Sequence, residues 1–589
     1  MFLGGGTLNA DKKIHIKGFR NFNDTEIFFQ KKTLIFGAND VGKTNLIYAL
    51  RLLFDKAISD HELELSDSDF NAYSGTNLIE ITATISDITE ECLLSFFSGS
   101  IKDGNLVIRY SKNRNESFKL FSGYDESMLS EIPSRQYIKR LNMQYVDTNR
   151  NLSSFLGRER AKILQISKEK LTDKQREQDD KQVEEIQSSL NSINSKIGSL
   201  NYVSTSLEKV NKELSDLSVS NEDQSVCFVA GESDAEKLLD NLVLSSSTGE
   251  NPLAVGGDGR NNQIYIATWI AKQNIQRNID HVTFYAIEEP ESHLHPHQQR
   301  KLSSYIQNSF NDQVFITSHS PHIASQFEAS SLVRLYSINK FSYAACSGCS
   351  NILKDVFNQF GYRLNILSAE TFFSNGVFLV EGTSEVLFYT ALAEALKIDL
   401  DRLNISILSV EGIGFKPYIA LCNALNLPWV LRTDNDIFQK SENKSTRKYY
   451  AGISRIIGII ESCKITDDGL LKYWNDNSDN NEWSSDEDIP KCALDLNIYI
   501  SEKALKLGIF LSEKDLENDL ANSPLKDELL KHYKKNSSDE LVIAMQNKKA
   551  EYMFTFTKEK KECLSLLKDN KIASPLTTLK SIIEKRNVK

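Results

Sequence analysis

The chain of 589 residues contains no hydrophobic run of the length, about 18 residues, that a membrane-spanning helix requires. Its first residues, Met1-Phe2-Leu3-Gly4-Gly5-Gly6, are too short and too weakly apolar to predict a signal peptide. The 8 cysteines are scattered, and the CxxC at 346–349 has no second pair, so an incidental pair is favoured over a zinc site. These absences exclude membrane and disulfide-rich secreted classes and favour a reduced, cytoplasmic location.

An excess of positive charge is also lacking, because 69 Lys and Arg face 80 Asp and Glu, giving a net charge of −11. This argues against a surface that coats nucleic acid generally, so any DNA contact must use local basic patches, aided by bound metal. The length predicts two to four domains of ordinary soluble composition.

A phosphate-binding loop follows an apolar strand predicted over 33–36. The loop, 37–44, is a GxxxxGK[ST] motif, and an amphipathic helix is predicted after it over 45–54. Upstream, residues 14–22 alternate in the manner of an edge strand. Lys43 is predicted to neutralise phosphate oxygens and Thr44 to hold Mg²⁺, while backbone N–H groups wrap the phosphates. The other predicted nucleotide-binding residues of the loop are Gly37, Asn39 and Gly42.

The partners of this loop lie far along the chain. A strand over 282–287 ends in Glu288 and Glu289, which are predicted to reach Mg²⁺ and to polarise the attacking water. A strand over 314–317 leads to His319, a predicted sensor of the γ-phosphate. A glycine-rich turn at Gly257, before a helical run from Gln263, is predicted to take the γ-phosphate of a nucleotide held by another protomer.

The order of these motifs resembles the ABC-type ATPases of the SMC and RecF kind. The resemblance implies two heads that enclose ATP between them. Such ATPases usually carry aspartate where this chain has Glu288, so ATP is interpreted either as hydrolysed or as a bound signal. Alternate histidines at 293, 295 and 297 suggest a metal-binding strand, but a turn typical of similar ATPases is favoured because Pro296 breaks a strand.

Between the two halves of the predicted head, apolar residues recur in steps of three and four from Val183 to Leu217. This period predicts a coiled-coil seam, either continuous or folded back near Gly198. We interpret it as a dimerisation element, with a solvated helical hairpin as the alternative.

The C-terminal half alternates strands and helices, which predicts a small parallel sheet. The predicted strands are 377–380, 405–410 and 428–431, and the predicted helices are 384–396 and 416–425. Acids follow these strands, namely Glu381, Glu385, Glu411, Asp434 and Asp436. Ligands gather at this edge of such sheets, and carboxylates there suit Mg²⁺ or Mn²⁺.

Further acids follow a fourth strand, predicted over 509–512. They are Asp515, Glu517 and Asp519, and the lysine pair Lys548 and Lys549 lies in a predicted helical tail. The stretch from Asp467 to Asp488 has eight acids and one lysine, and it is predicted to be a solvated surface insertion.

The "VEG" glutamate followed by Asp-x-Asp resembles a Toprim domain. An ABC-type ATPase, a Toprim domain, a later acid cluster and a lysine, in that order, resemble the OLD (overcoming lysogenization defect) family of endonucleases. The motifs FGANDVGKTN, IEEPE, TSHSP, VEGTSE, TDND and LSEKDLENDL are most similar to the nuclease subunit of the Gabija anti-phage defence system. The resemblance implies that duplex DNA is nicked or cut, that a UvrD-like helicase subunit is the partner, and that the chain forms a homo-oligomer.

The same resemblance assigns the site residues. It implies metal ligation by Glu381, Glu385, Asp434, Asp436, Asp515 and Glu517. Two metals in such a site activate a water and stabilise the leaving 3′ oxygen. Lys549, with Lys548 as the alternative, would stabilise the charge of the transition state. The rival interpretations are a DNA-repair ATPase of the RecF or SMC kind, a stand-alone OLD nuclease and a scaffold that recruits a helicase.

The predicted fold is therefore α/β, with an ABC-type P-loop ATPase head, a helical dimerisation insertion, a Toprim domain and a helical C-terminal tail. The predicted boundaries are 1–155 and 221–345 for the two parts of the head, 156–220 for the insertion, 346–372 for a connector, 373–525 for the Toprim domain with an acidic insertion at 467–490, and 526–589 for the tail.

Overall fold

A computed structural model describes most of the chain. The described residues are 13–148, 150, 152, 155, 164–165, 167–217, 226–228, 234–240, 246–248, 251–253, 257–275, 280–360, 371–442, 445–463, 465 and 468–587. Two compact units divide the chain. One comprises 1–146, 280–291 and 295–589, and the other comprises 147–279 and 292–294. No described helix combines the length and the apolar character that a bilayer crossing needs.

The strands before residue 350 belong to three sheets. In chain order they are β1 (Lys13–Phe19), β2 (Phe22–Phe28), β3 (Lys32–Phe36), β4 (Leu78–Ile85), β5 (Leu106–Asn113), β6 (Lys119–Gly123), β7 (Leu129–Ile132), β8 (Leu141–Val146), β9 (Ser246–Thr248), β10 (Asn251–Leu253), β11 (Val282–Glu288), β12 (Val314–Ser318), β13 (Leu332–Ile338) and β14 (Phe341–Ala344). The pair β9–β10 belongs to the second unit and forms a separate two-stranded sheet.

The first sheet is antiparallel and has the order β2-β1-β4-β5-β6-β7. Ile16 of β1 pairs with Thr25 on one side and with Ile81 on the other. The prediction that this segment is an edge strand was therefore wrong. Its alternation arises because one face, with Ile14 and Ile16, is buried in the core, while the other face is partly exposed.

The second sheet has the order β14-β13-β3-β12-β11-β8 and is parallel except for β14. β3 lies between β12 and β13 and leads through the phosphate-binding loop into the helix Lys43–Phe54. The apolar face of this helix, including Leu46 and Leu50, is buried in a core shared by both sheets. The predicted strand, loop and helix are thus confirmed.

The second unit contains long helices. In chain order they are Asp173–Gly198, Asn201–Leu217 and Asp258–Ile275, with a short helix at Ala235–Asp240. The predicted seam is therefore interrupted just after Gly198 rather than continuous. Ile193 and Val210 on it are 48% and 49% exposed, which leaves apolar surface uncovered in the single chain. The helix after Gly257 begins at Asp258, earlier than the predicted start at Gln263.

The remaining strands build the C-terminal half. They are β15 (Gly376–Val380), β16 (Ile405–Ser409), β17 (Trp429–Thr433), β18 (Ile437–Glu442), β19 (Ser445–Tyr450), β20 (Glu482–Ser484) and β21 (Ile509–Leu511). β16-β15-β17-β21 form a sheet in which all neighbours are parallel, which confirms the predicted topology. β18-β19-β20 form a separate antiparallel sheet.

Helices cover the parallel sheet and share its apolar core. The remaining α-helices of the first unit are Asp60–Leu63, Glu91–Phe96, Pro296–Ser309, Pro321–Ala324, Asn351–Phe360, Thr383–Ala395, Leu400–Leu403, Phe415–Ala424, Ala451–Ser462, Asp468–Asn477, Lys491–Lys506, Leu516–Ala521, Lys526–Tyr533, Ser538–Asn547, Lys549–Glu559 and Ser574–Asn587.

The structure corrects one sequence prediction about a loop and agrees with another. The acidic stretch is not simply solvated, because it forms the helix Asp468–Asn477 and the strand β20, and it buries Leu470 and Trp483 in the core. The histidines at 293, 295 and 297 do not lie on one strand, in agreement with the favoured prediction of a turn. His295 is the N-cap residue of a helix that Pro296 begins, so this segment continues as a helix.

A buried arginine joins the two parallel sheets. Arg334 of β13 donates hydrogen bonds to the carbonyl oxygens of Phe372 (3.1 Å), Ser374 (2.8 Å) and Leu425 (2.9 Å). Its neighbour across the sheet is Phe36, the residue just before the phosphate-binding loop. The strand β13, beside the strand that carries the loop, is therefore hydrogen-bonded to the C-terminal half.

Candidate functional site

The phosphate-binding loop has the backbone that a nucleotide cradle requires. Gly42 has φ +98°, and a Cβ there would lie 2.6 Å from the Asn21 side chain, so only glycine fits. Lys43 donates to the carbonyl oxygens of Gly37 (3.0 Å) and Ala38 (2.7 Å), and burial lowers its pKa to about 8. A buried ammonium beside a glycine cradle fits the phosphates of a nucleotide.

The acids at the end of β11 lie near enough to this loop to affect Lys43, although β12 separates β11 from β3 in the sheet. Glu288 is buried at the end of β11, and the Glu289 carboxylate lies 3.2 Å from Nε2 of His319, at the end of β12. Glu291 accepts hydrogen bonds from the Ser318 hydroxyl (2.6 Å) and the His319 N–H (2.7 Å). Glu291 thus fixes the turn that carries His319, a role that the sequence prediction missed.

The carboxyl edge of the second parallel sheet gathers the predicted acids. Glu381 follows β15, and its Oε1 accepts hydrogen bonds from the Thr433 hydroxyl (2.5 Å), the Asp434 N–H (2.9 Å) and Arg455 (2.6 Å). Burial and the neighbouring Asp434 carboxylate raise the pKa of Glu381. The end of β15 and the end of β17 are therefore held together through one carboxylate.

Arg432, a buried residue of β17, lies among three carboxylates. Its guanidinium is 2.5 Å from Glu385, 3.3 Å from Asp434 and 2.9 Å from Asp519. The other oxygen of Glu385 accepts the N–H groups of Glu381 (2.6 Å) and Gly382 (3.1 Å). Burial raises the pKa of Glu385 to about 7, against the opposing effect of Arg432.

The second acid cluster belongs to the same edge. Asp515 caps the helix that starts at Leu516 and accepts a hydrogen bond from Gln546 (2.6 Å). Lys549 lies 3.4 Å from the Glu517 carboxylate. That oxygen of Glu517 is buried, and among the described residues it has no hydrogen-bond partner other than this lysine.

Electrostatic effects show that these groups are close together. Burial raises the pKa of Asp436, and the carboxylates of Asp434 and Asp515 raise it further. Burial likewise raises the pKa of Glu517, with Asp515 adding to the effect. Burial by itself would lower the pKa of Lys549. The carboxylates of Glu517, Asp434 and Asp515 raise it by more, so the pKa of Lys549 is raised. Acids and one lysine from distant segments therefore share one electrostatic site.

The remaining predicted residues lie elsewhere. Lys548 points to Glu551 instead (3.0 Å), and Glu411 is exposed at its strand end. Gly257 lies before the helix Asp258–Ile275, and residues 254–256 of its turn lie outside the described part of the chain.

Within the described residues, one group of His, Cys, Asp or Glu side chains places three potential metal-ligand atoms within 4.8 Å of one another. It consists of His15, Glu26 and Glu126, and it does not include the Toprim acids.

Two arginines of this edge were missed from the sequence. Arg432 is the lone charged residue within the strand Trp429–Thr433, and a buried strand tolerates such a residue only when it is paired, so this signal was available. Arg455 lies one helical turn into Ala451–Ser462 and carries no comparable signal, because its partner Glu381 is far away in sequence.

Comparisons with protein families agree with the arrangement of the two sheets. The model of the AAA ATPase domain matches residues 12–324. The chain belongs to the AAA ATPase domain family. A second model, the Toprim domain of overcoming lysogenization defect protein-like proteins, matches residues 372–436. The OLD-like resemblance and the fold class, an ATPase domain followed by a Toprim domain, are thereby confirmed.

Individual proteins are also similar in sequence to this chain. "Endonuclease GajA" of Bacillus cereus (strain VD045) is 24% identical over 470 residues, which is 76% of this chain and 78% of that protein. "OLD nuclease" of Thermus scotoductus is 29% identical over 216 residues, which is 34% of this chain and 40% of that protein. A solved C-terminal region of the Xanthomonas campestris pv. campestris OLD protein aligns at 23% identity and a TM-score of 0.26, covering 36% of this chain and 96% of that one.

Proposed function

We propose that the chain is a metal-dependent DNA endonuclease whose cutting is regulated by nucleotide at its ATPase domain. The observation that carries the proposal is the meeting of acids and a lysine at the carboxyl edge of the Toprim sheet. Burial raises the pKa of Asp436 and Glu517 there, the carboxylates of Asp434 and Asp515 raise both further, and the same acids raise the pKa of Lys549 against the effect of burial. The names of two relatives, an endonuclease and an OLD nuclease, support the same class of reaction.

The donor set has the oxygen chemistry that suits a divalent metal, while no three of its ligand atoms lie within 4.8 Å of one another among the described residues. Burial raises the pKa of Asp436 and Glu517, and the carboxylates of Asp434 and Asp515 raise it further, so a cation would stabilise this site. The buried oxygen of Glu517 has no described partner other than the ammonium of Lys549 at 3.4 Å, which gives it the character of a ligand position. Mg²⁺ or Mn²⁺ would be held by Glu381, Asp434, Asp436, Asp515 and Glu517, and when bound it would activate water and stabilise the leaving oxygen of a phosphodiester.

Glu385 has a different role in this proposal from the one that the resemblance implies. One of its oxygens accepts two backbone N–H groups, and the other meets Arg432 at 2.5 Å. Both oxygens are therefore engaged within the protein. We assign Glu385 as a positioning residue, which holds the turn of Glu381 and Gly382 and, through Arg432, the side chain of Asp434.

Two basic residues, Lys549 and Arg455, have separate roles at the proposed site. The ammonium of Lys549 is placed to neutralise a scissile phosphate, whose charge grows in the transition state. Arg455 holds Glu381 and also donates to the backbone oxygen of Asp434 (3.1 Å), so it fixes the two strand ends relative to each other.

The ATPase domain supplies the regulation. Lys43, Thr44, Glu288 and His319 would bind nucleotide and its Mg²⁺, and Arg334 connects the strand beside their loop to the Toprim half. Glu288 replaces the usual aspartate of this position. We therefore propose that bound ATP acts as a signal, whether or not it is hydrolysed.

The proposed biological setting follows from the resemblance to Gabija. The chain would act in anti-phage defence beside a UvrD-like helicase subunit, as a homo-oligomer joined through ATPase heads and the helical insertion. The exposed apolar residues Ile193 and Val210 support an oligomeric contact at the insertion.

The test is a plasmid-cleavage assay with the purified full chain. Mg²⁺ or Mn²⁺ should convert supercoiled plasmid to nicked or linear forms, and chelation with EDTA should stop the reaction. Glu381→Gln should reduce cutting to background, because it weakens both metal binding and the link between β15 and β17. Parallel reactions with ATP and a non-hydrolysable analogue separate sensing from turnover, since sensing predicts identical effects.

The matched control is Glu411→Gln, which changes an exposed acid at the end of the neighbouring strand β16. It should cut at the wild-type rate. Full cutting by Glu381→Gln would remove this edge of the Toprim sheet as the active site.

A further inference from the structure

A group of three side chains in the ATPase domain has the spacing of a metal site. It lies on the partly exposed face of the six-stranded sheet and consists of His15 on β1, Glu26 on β2 and Glu126 in the loop after β6. Their potential ligand atoms lie within 4.8 Å of one another. The register pairs His15 with Glu26, and Nδ1 of His15 is 3.8 Å from Oε1 of Glu26. Ligands about 2 Å from a tetrahedral Zn²⁺ are about 3.3 Å apart, so a small movement would close this group around the ion.

The orientation of the His15 ring supports a metal at its Nδ1 atom. Nε2 of His15 is 2.5 Å from Oδ1 of Asp24, so in the neutral ring a proton on Nε2 is donated to that carboxylate. Nδ1 then presents a lone pair toward the carboxylate of Glu26, and a cation between two such acceptors satisfies both. A carboxylate that accepts the other ring N–H of a metal-bound histidine is a regular feature of zinc sites.

Other charges share this face, and Lys13 contacts the ligand oxygens. Besides the group itself, the strand register places Lys13 and Lys17 of β1, Asp24 of β2, Glu80 of β4 and Arg109 of β5 on the face. Arg109 pairs with Glu80 (3.8 Å) and with Oε2 of Glu126 (3.4 Å). Nζ of Lys13 lies 2.6 Å from Oε1 of Glu26 and 3.2 Å from Oε1 of Glu126, so this ammonium takes the position of a cation between the two carboxylates.

The position that Lys13 takes favours positive charge. Burial by itself would lower the pKa of Lys13, but the carboxylates of Glu26 and Glu126 raise it by more. The side chain of Lys13 is 21% exposed, so it can turn toward solvent when a stronger cation arrives.

We propose that His15, Glu26 and Glu126 bind a zinc ion, which displaces the ammonium of Lys13. Asp24 orients the imidazole, and a water molecule would complete the tetrahedron. A nitrogen ligand beside two carboxylates suits Zn²⁺, whereas Mg²⁺ is held by oxygen ligands. The site is separate from the Toprim acids and does not depend on nuclease activity.

The zinc ion would brace the hairpin β1–β2, whose turn contacts the phosphate-binding loop. At that turn, the Asn21 carbonyl accepts a hydrogen bond from the side chain of Asn45 (2.8 Å), in the helix after the loop, and Arg20 donates to Asn45 (2.9 Å). Through Glu126, the ion would also join this hairpin to the loop between β6 and β7, the two strands at the other end of the sheet. Zinc would thus stabilise the part of the sheet that supports the nucleotide cradle.

The experiment counts zinc bound to the full chain. Equilibrium dialysis is run at a series of buffered free Zn²⁺ concentrations, with excess Mg²⁺ to occupy sites made of oxygen ligands alone and a phosphine reductant to keep the cysteines reduced. Bound zinc per chain is measured by mass spectrometry. Wild type should bind one ion more than His15→Gln. The matched control, His61→Gln, changes an exposed histidine of the same domain outside the group and should bind as wild type.

Two further variants test the neighbours of the ligands. Asp24→Asn should weaken zinc binding about 10- to 100-fold, the usual effect of losing the acceptor behind a metal-bound histidine. Lys13→Gln should lower the Kd for Zn²⁺, because the metal no longer has to displace an ammonium. A misfolded chain cannot gain affinity at this site, so Lys13→Gln decides the matter even if His15→Gln folds poorly.

Equal zinc counts for wild type and His15→Gln would overturn the proposal. So would a Kd that Lys13→Gln leaves unchanged or raises. A loss of zinc from His61→Gln equal to that from His15→Gln would assign the ion to exposed histidines in general, and would overturn it as well.

Discussion

At the scale of single residues, the Toprim edge balances buried charges of both signs. Arg432 forms ion pairs with three carboxylates, and Arg455 forms one with Glu381. Most of the acids are therefore paired with a basic side chain of the same protein. Burying an unpaired charge costs several kcal/mol, whereas a paired and hydrogen-bonded charge is tolerated. Glu517 is the acid whose partner, Lys549, is half exposed and therefore able to move toward a substrate.

The neighbouring lysines give a direct test of this geometry. Lys549→Ala should slow plasmid cutting by about 10²- to 10³-fold, because it removes a cation aimed at the reacting phosphate. Lys548→Ala should cut nearly as wild type, since Lys548 pairs with Glu551 on the solvent side. Single-turnover cleavage rates at saturating Mn²⁺ provide the measurement. Equal rates for the two variants would contradict the assignment.

The sequence was sufficient to propose the acids but not their partners. Asp434 and Asp436 stand out because they directly follow an apolar strand, and the spacing of Glu381 and Glu385 places both at one helix start. The sequence left Lys548 and Lys549 undecided, since their orientation depends on a break between two helices at Lys548. Arg455 was missed because nothing local marks a residue that pairs with an acid across the sheet.

At the scale of elements, β3 is held by hydrogen bonds to two strands and by the side chain of its own first residue. Its first residue, Lys32, donates to the carbonyl oxygens of Phe310 and Asp312, which precede β12. Burial lowers the pKa of Lys32 to about 8. The strand is therefore tied to its neighbour by a cation held in poorly solvated surroundings.

This pKa gives stability a defined pH dependence. Between about pH 8 and pH 10.5 the unfolded chain holds more protons at Lys32 than the folded chain, so the contribution of this residue to stability rises with pH. Lys32→Met should lose that rise, and the adjacent Lys31→Met should retain it. The difference in apparent melting temperature between each variant and wild type, measured across this window, tests the sign. A difference that is independent of pH for Lys32→Met would contradict it.

Predictions from sequence succeeded for elements whose signal is local. The strands β3, β12, β15 and β17 are apolar runs that end in polar loops, and each was placed to within two residues. β1 was assigned to an edge because alternation reports which face is buried, and not how many neighbours a strand has. The acidic stretch was misjudged because its two apolar anchors, Leu470 and Trp483, are few beside eight acids.

At the scale of the whole molecule, Arg334 connects the two sheets, and we expect it to couple them. It lies on β13, beside the strand that ends in the phosphate-binding loop, and its three hydrogen bonds reach the connector and the Toprim half. Phe36 adds ring contacts with Phe372 and Phe373 at 5.6 and 5.5 Å. A shift of the loop on nucleotide binding would therefore be passed to the sheet that carries the acids.

The corresponding prediction concerns coupling. In Arg334→Lys, which retains the charge but not the planar fork of donors, ATP should change the rate of DNA cutting less than in wild type. Metal-dependent cutting without ATP should persist. Arg586→Lys alters a single hydrogen bond to Asn426 (3.2 Å) and should keep the full ATP response. The ratio of cleavage rates with and without ATP is the measurement, and an unaltered ratio in Arg334→Lys would contradict the coupling.

The position of β3 has a consequence for how the protein is made. β3 carries the phosphate-binding loop, yet its two hydrogen-bonding neighbours, β12 and β13, are encoded almost 300 residues later. During synthesis on a ribosome, β3 must therefore wait for both neighbours while about half of the chain is translated. A chain stopped before Val314 would carry a complete GxxxxGK[ST] motif after a strand that has neither of its neighbours.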